Sequence, residues 1–251
     1  MTGSAHGVAI VTGGSRGIGA ATAVCLAQAG FDVCVDYVRH EHAARGVVER
    51  IHAAGGRAVR CRADVSSEPD VHALFESADR LGRLAVLVNS AGVTGGTASV
   101  LDVRADQLRR ACDVNLVGTA LCLREAARRM ATSRGGGGGA IVNISSTAAR
   151  TSGCGEWVHY AATKASIDVL TVGAARELAP EGIRVNAVAP GLIQTDLHAD
   201  NGMPERPERL RSTIPMGRVG TPGEVASTVA WLVSDDTSYV SGTVVEVCGA
   251  R

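Results

Sequence analysis

Val8-Ala-Ile-Val11 runs without a break into Thr12-Gly-Gly-Ser-Arg-Gly-Ile-Gly19, and the helix-forming stretch Ala20-Ala-Thr-Ala-Val-Cys-Leu26 follows at once. Four apolar residues, a glycine cluster and an Ala-rich run read as strand, tight turn and helix. Gly13, Gly17 and Gly19 permit that turn and let the backbone approach a diphosphate closely. The first turn of the helix then offers unpaired N–H groups and the positive end of its dipole. The spacing, G-x-x-x-G-x-G, differs from the G-x-G-x-x-G fingerprint, and a glycine cluster alone can be an ordinary turn. Its position at the start of a βαβ unit points to dinucleotide binding.

The same alternation continues outward from this loop. Residues 8–11, 32–36, 58–62, 84–89, 140–144, 184–188 and 244–247 read as strands. Helix-period stretches lie at 17–29, 40–54, 69–81, 105–131, 160–179 and 222–232. Strands such as Leu84-Ala-Val-Leu-Val88 are apolar throughout, as burial on both faces requires. The expected fold is α/β: a three-layer doubly wound (Rossmann) arrangement, a seven-stranded parallel sheet with helices on both faces. No second alternating unit follows, so residues 1–251 read as a single domain. Two segments break the rhythm. Residues 134–139 hold five consecutive glycines and read as a flexible surface connection. Residues 192–220 are long, polar and proline-bearing, the pattern of a substrate lid.

Composition narrows the function. Lys+Arg is 25 and Asp+Glu is 25, a zero balance that offers no basic face to nucleic acid. Residues 1–11 lack a cationic leader, and no apolar run approaches the ~20 residues that span a bilayer. No membrane association and a cytoplasmic location are expected. The seven cysteines form no C-x-x-C pair and read as reduced, mostly buried thiols, with no metal site.

Tyr160-Ala-Ala-Thr-Lys164 opens an Ala-rich helix, and residues four apart share a helix face. A cation beside a phenol favours the phenolate and brings the tyrosine toward useful acid–base chemistry. Alone, Y-x-x-x-K is as consistent with a solvated helix face. Yet Lys164 is the only lysine in a chain that otherwise uses arginine, which fits a role that needs a compact ammonium.

With these residues in hand, the chain resembles the short-chain dehydrogenase/reductase family in its ~250-residue form. The resemblance rests on Thr12–Gly19, Asp64-Val65, Asn89-Ser-Ala-Gly92, Asn115, Ile144-Ser-Ser146, Tyr160 with Lys164, and Pro190-Gly191 with Thr195, in that order. It implies an NAD(P)-dependent enzyme that interconverts a small-molecule carbonyl and alcohol. Tyr160 would be general acid/base, and Lys164 would hold the nicotinamide ribose and lower the tyrosine pKa. Ser146 would hydrogen-bond the developing oxyanion, and Asn115 would hold a relay water. Ser146 sits one residue further from Tyr160 than the usual family interval; Thr147 would restore that interval, and Ser145 is also adjacent. Gly13, Ser15, Arg16, Gly17, Ile18 and Gly19 would cradle the cofactor diphosphate. Asp64 and Val65 would contact its adenine, and Asn89, Ala91 and Gly92 would also bind the cofactor. Pro190, Gly191, Ile193 and Thr195, with Tyr160 and Lys164, would complete the nicotinamide side. Tyr37 rather than Asp36 matches the discriminating position at the end of the second strand. With Arg16 and Arg39 available for a 2′-phosphate, NADP(H) is favoured and NAD(H) remains possible. His159 is expected to pack or meet solvent, and Cys154 to be an inert loop thiol.

Two departures from the family stand out. Ser90 replaces the usual second asparagine, and Val247-Cys-Gly-Ala-Arg251 lacks the usual acidic residue and paired glycines. The resemblance also implies a homotetramer built through the helices near 105–131 and 160–179. A cofactor-binding regulatory protein without turnover and a purely structural oligomer are the competing readings.

Overall fold

The computed structural model describes residues 6–251; the first part of the segment read as lacking a leader, residues 1–5, lies outside them. Seven parallel strands form one sheet in the order β3-β2-β1-β4-β5-β6-β7. They are β1 (Val8–Val11), β2 (Asp32–Tyr37), β3 (Ala58–Arg62), β4 (Leu84–Asn89), β5 (Gly139–Ile144), β6 (Ile183–Pro190) and β7 (Val244–Val247). The helices are α1 (Gly17–Gln28), α2 (Glu41–Ala53), α3 (Glu68–Asp79), α4 (Ala105–Cys112), α5 (Thr119–Met130), α6 (Ala148–Thr151), α7 (Val158–Leu178), α8 (Leu197–Asp200), α9 (Arg206–Leu210) and α10 (Pro222–Val233).

Side chains alternate across each strand, and that alternation divides the interior into two cores. Ala9, Val11, Val33 and Val35 pack with α1, α2 and α10 on one face of the sheet. Val8, Ile10 and Cys34 pack with α3, α5 and α7 on the other. Phe75, Leu26, Leu74 and Ile141 are fully buried, and each such side chain contributes about 1.5–3 kcal/mol of transfer free energy. Local chemistry agrees with this layout. Thr221 and Glu224 form a reciprocal capping box with Pro222 in the first turn, which starts α10 where the periodicity predicts it. No helix among the described residues is long and apolar enough to cross a membrane.

Three expectations need correction. The stretch 105–131 is not one α-helix: residues Asp113–Gly118 form a π-helical turn between α4 and α5. The side chain of Asn115, inside that turn, pairs with both Val93 N (2.9 Å) and Val93 O (2.8 Å). Widening the helix by one residue turns Asn115 inward to make those bonds. The glycine run is not a flexible connection but a packed seam. A Cβ on Gly136 would stand 2.3 Å from Met130 O, and one on Gly138 would stand 2.5 Å from Gly182 O. Backbone runs where a side chain would have to go. Finally, 192–220 is not without regular structure, since it contains α8, α9 and a bridge between Ile193 and Gly220 that closes its base. Helices of four and five residues are too short to leave a periodic signature.

Strand order reverses between β1 and β4, which leaves a crevice at the C-terminal ends of the two strands. The glycine loop after β1 and the Asn89–Gly92 loop after β4 meet there.

Candidate active site

Thr12, at the end of β1, ties these two loops together. Its Oγ1 accepts from the backbone N–H groups of Ser90 and Ala91, both at 3.0 Å. The bonds use main-chain donors at 90 and 91, so the serine at position 90 does not interrupt them. Gly13 has φ +60°, and a Cβ there would lie 2.9 Å from Ala91 Cα. Ser15, Arg16, Gly17 and Ile18 are partly exposed along the loop. No side chain caps the first turn of α1, so its N–H groups remain open to an anion.

Asp36 lies buried beneath the loop, accepting at Oδ2 from Gly13 N (3.0 Å). Burial pushes its carboxyl up to about 7, against hydrogen bonds from Gly13 and Ala63 that pull it down. Tyr37 closes β2 with its carbonyl on Ala63 N (3.0 Å), and Arg39 is exposed just beyond. Arg16 reaches across the loop to two aspartates of α8 and its approach, Asp196 (3.4 Å) and Asp200 (2.7 Å). Asp64 accepts from Ser66 and Arg110, which hold its carboxyl below its usual value against burial. Val65 packs against Gly118 of the π-helical turn. Thr195 Cγ2 would lie 3.3 Å from a Cβ on Gly17, so the 192–220 segment rests on the glycine loop. Pro190 O accepts from Thr147 N (3.0 Å), and Gly191 passes so close to Cys248 that a Cβ would meet its Cα at 2.8 Å.

The predicted reactive residues converge on α7. Lys164 Nζ donates to Ile144 O at 2.7 Å and lies 5.7 Å from the centroid of the Tyr160 ring. Gly92 is held between Asn115 Oδ1 and Lys164 Nζ, each 3.4 Å from where its Cβ would be. Asn115 also donates to Thr163 Oγ1 (2.9 Å), which joins the π-helical turn to α7. The three adjacent hydroxyls after β5 are sorted by geometry. Ser145 donates to Lys164 O (3.2 Å) and Thr147 to Pro190 O (3.3 Å), whereas Ser146 Oγ accepts from Ala148 N (3.1 Å) and is the one of the three whose hydroxyl acts on the Tyr160 phenol, lowering its pKa.

Burial sets the charges here. It pushes the Tyr160 phenol up to about 12, opposed by the nearby Ser146 hydroxyl and the Arg206 charge. It pulls Lys164 down to about 8, opposed by the Asp168 carboxylate. The expectation that the ammonium would leave the phenol with a lowered pKa does not describe this balance; desolvation of the hydroxyl outweighs it. The result is a protonated phenol beside a hydrogen-bonded ammonium, a pair suited to giving a proton to an oxygen.

Three loops over this centre contribute residues that sequence reasoning missed. Trp157, just ahead of α7, stacks on His198 at 5.9 Å and meets the Tyr160 ring edge-on at 6.1 Å. Arg206 of α9 covers the Trp157 ring at 4.2 Å and donates from Nε to Glu156 Oε2 at 2.7 Å. Trp157 Nε1 donates to Thr97 (3.2 Å), and Thr94 donates to Asn201. In a chain with 2 Trp and 2 Phe, a tryptophan three residues before the tyrosine was the available signal. His159 is buried against Gly95, in keeping with packing, and Cys154 is exposed.

Known proteins with similar sequence and shape are numerous. A family model described as enoyl-(acyl carrier protein) reductase matches residues 13–249. An uncharacterized oxidoreductase, YgfF, of Escherichia coli K12 is 48% identical over 245 residues, covering 97% of this chain and 99% of that protein. The 3-oxoacyl-[acyl-carrier-protein] reductase FabG of Staphylococcus aureus is 39% identical, covering 96% of each chain. Among solved structures, a 7α-hydroxysteroid dehydrogenase complexed with NADH and 7-oxo glycochenodeoxycholic acid superposes with TM-score 0.89 at 35% identity, covering 97% of this chain and 93% of that one. A short-chain dehydrogenase from Burkholderia cenocepacia in complex with NADP gives TM-score 0.87 at 34% identity, covering 97% of each.

Proposed function

Since the chain belongs to the short-chain dehydrogenase/reductase family and is an oxidoreductase of that family, we propose that it interconverts a carbonyl and an alcohol with a nicotinamide cofactor, using Tyr160 as general acid/base. One observation carries this reading: the only ammonium side chain of the protein stands 5.7 Å from the Tyr160 ring and is anchored to Ile144 O at the end of β5, beside an uncapped glycine-rich helix start.

The residues present fit a dinucleotide. Gly13 leaves no room for a side chain against Ala91, and the open N–H groups of α1 suit a diphosphate. The cofactor, when bound, supplies or accepts the hydride. Tyr160 gives its proton to the substrate oxygen in reduction and takes it back in oxidation. Ser146 orients that oxygen and stabilises the charge that develops on it. Lys164 holds positive charge near the phenol and donates toward a ribose hydroxyl. Asn115, fixed by Val93 and Thr163, keeps Lys164 on a proton path to solvent. We favour NADP(H), on the strength of Arg16 and Arg39 at the adenosine end and of Asp36 turned beneath the loop. The NADP and NADH complexes of the two similar structures keep both cofactors in view.

Residues 192–220 act in this scheme as a lid, closed at its base by the Ile193–Gly220 bridge and resting on Gly17 through Thr195. Assembly into a homotetramer is supported by Leu108, Val117 and Val169, large apolar side chains exposed on α4, the π-helical turn and α7. Seven free thiols accord with a cytoplasmic setting.

The test is a fluorescence titration with NADPH and NADH, followed by a panel of ketones and alcohols with wild type and Tyr160→Phe. Turnover that vanishes in Tyr160→Phe, with cofactor affinity kept, supports the reading. Cofactor binding with no turnover of any carbonyl would leave a regulatory protein instead.

A further inference from the structure

Arg206 is a cation built into the wall of the reactive centre. Its side chain is only 12% exposed, and its guanidinium carbon lies 4.2 Å from the centre of the Trp157 ring, which in turn meets Tyr160 edge-on. Glu156 accepts from Arg206 Nε at 2.7 Å and, through its other oxygen, from Arg209 at 2.7 Å. One carboxylate therefore serves two guanidiniums, and the group keeps one positive charge in excess. Of the nearby acidic groups, Glu205 is exposed to solvent. Asp196 and Asp200 of the same segment are taken up by Arg16. Glu208 pairs with Arg211. His198, beneath Trp157, is held below its usual pKa first by burial and then by Arg206 itself, so it stays neutral.

The two Nη groups of Arg206 donate to no acceptor among the described residues. A desolvated guanidinium with two donors unused is a site for a carboxylate. Its field also reaches the phenol, since the Arg206 charge is among the influences that lower the Tyr160 pKa. A substrate oxygen held at Tyr160 therefore lies in the field of Arg206.

We propose that Arg206 makes this centre selective for carbonyl compounds that carry a carboxylate, the oxo acids and their hydroxy-acid counterparts. The inference deepens the oxidoreductase reading and rests on it for the position of the carbonyl.

The experiment pairs each acid with its methyl ester: pyruvate, acetoacetate and levulinate against the three esters, with NADPH and NADH. The carboxylate position that reacts best reports the span between Tyr160 and Arg206. Wild type is expected to favour the acid by at least about tenfold in kcat/KM, and Arg206→Met to collapse that ratio toward one, mainly through KM. Arg206→Lys should keep part of it. Binding is read separately, by quenching of tryptophan fluorescence with levulinate and with methyl levulinate. A levulinate preference that disappears in Arg206→Met supports the proposal. Equal affinity for acid and ester in the wild-type protein overturns it, as does an equal loss of both activities in Arg206→Met, which would make Arg206 only a strut between α9 and Glu156. Preferential levulinate binding without turnover of any carbonyl would sink the redox reading and leave the carboxylate site standing.

Discussion

Lys164 Nζ stands 5.7 Å from the centre of the Tyr160 ring and spends a 2.7 Å hydrogen bond on the carbonyl of Ile144, one turn of α7 away from the phenol it serves. The same burial acts on both groups in opposite senses, raising the phenol and lowering the ammonium.

That opposition sets the expected pH dependence. With the phenol at about 12, Tyr160 is a proton donor throughout the neutral range. With Lys164 at about 8, its charge is present below that pH and lost above it. Carbonyl reduction, followed as kcat/KM, should hold level on the acid side and fall as pH rises through about 8. Alcohol oxidation, which needs the phenolate, should instead show its optimum well to the alkaline side, toward the phenol's value of about 12. A reduction profile that stays flat to high pH would show that the ammonium is not required.

The three hydroxyls after β5 should separate cleanly. Ser146→Ala removes the one that meets Tyr160 and should lower kcat by about 10²–10³-fold. Thr147→Val and Ser145→Ala break bonds to backbone carbonyls and should act chiefly on stability, by about 1 kcal/mol each. Steady-state kinetics beside thermal melts distinguishes the cases; a Thr147→Val enzyme as impaired as Ser146→Ala would move the role by one residue.

Arg16 links cofactor choice to the lid. Arg16→Gln should weaken NADPH binding by about tenfold while leaving NADH within a few-fold, because only the former carries the 2′-phosphate. Asp196→Asn with Asp200→Asn frees the guanidinium and should tighten NADPH. If NADH binds wild type at least about tenfold more tightly than NADPH, the preference is the reverse of the one proposed.

Asp36 should make the protein more stable on mild acidification. Its folded pKa is raised to about 7, so the folded state holds a proton that the unfolded chain releases near 4, and the resulting cost appears as pH climbs between those values. Asp36→Asn keeps an oxygen for Gly13 N and removes the charge. At pH 8 it should add up to about 4 kcal/mol of stability and raise Tm by up to about 8–16 °C. Near pH 4 the two proteins should melt together. A variant no more stable than wild type at pH 8 would mean that the carboxylate is already well solvated.

The glycine seam gives a paired test of packing. Gly135 has φ +84° with open space around its Cβ position, so Gly135→Ala should cost about 1 kcal/mol from backbone strain. Gly138→Ala meets Gly182 O as well and should cost at least about 2 kcal/mol more. Denaturant unfolding of the two variants measures the difference; equal costs would mean that the seam yields.

The strands were legible because buried parallel strands are apolar without interruption, and most boundaries read from residues such as Leu84–Asn89 stand unchanged. The reactive set was legible through local spacing on α7 and through Lys164 being the sole lysine. What escaped depended on contacts between distant segments. Nothing local to Asn115 signals the bonds to Val93 that widen its helix. Five glycines look alike in sequence whether space or backbone surrounds them. Glu156, Trp157, His198 and Arg206 are remote or loop-borne, and only folding of the lid brings them together.

Asn89 of β4 donates to Asn143 of β5 at 2.9 Å, and Asn143 donates to Thr171 of α7 at 2.9 Å. Both asparagines are buried, and a slip of one position between those strands would swing Asn143 to the opposite face and leave the two buried amides without each other. The helix that bears Tyr160 and Lys164 can therefore seat only on a correctly paired sheet.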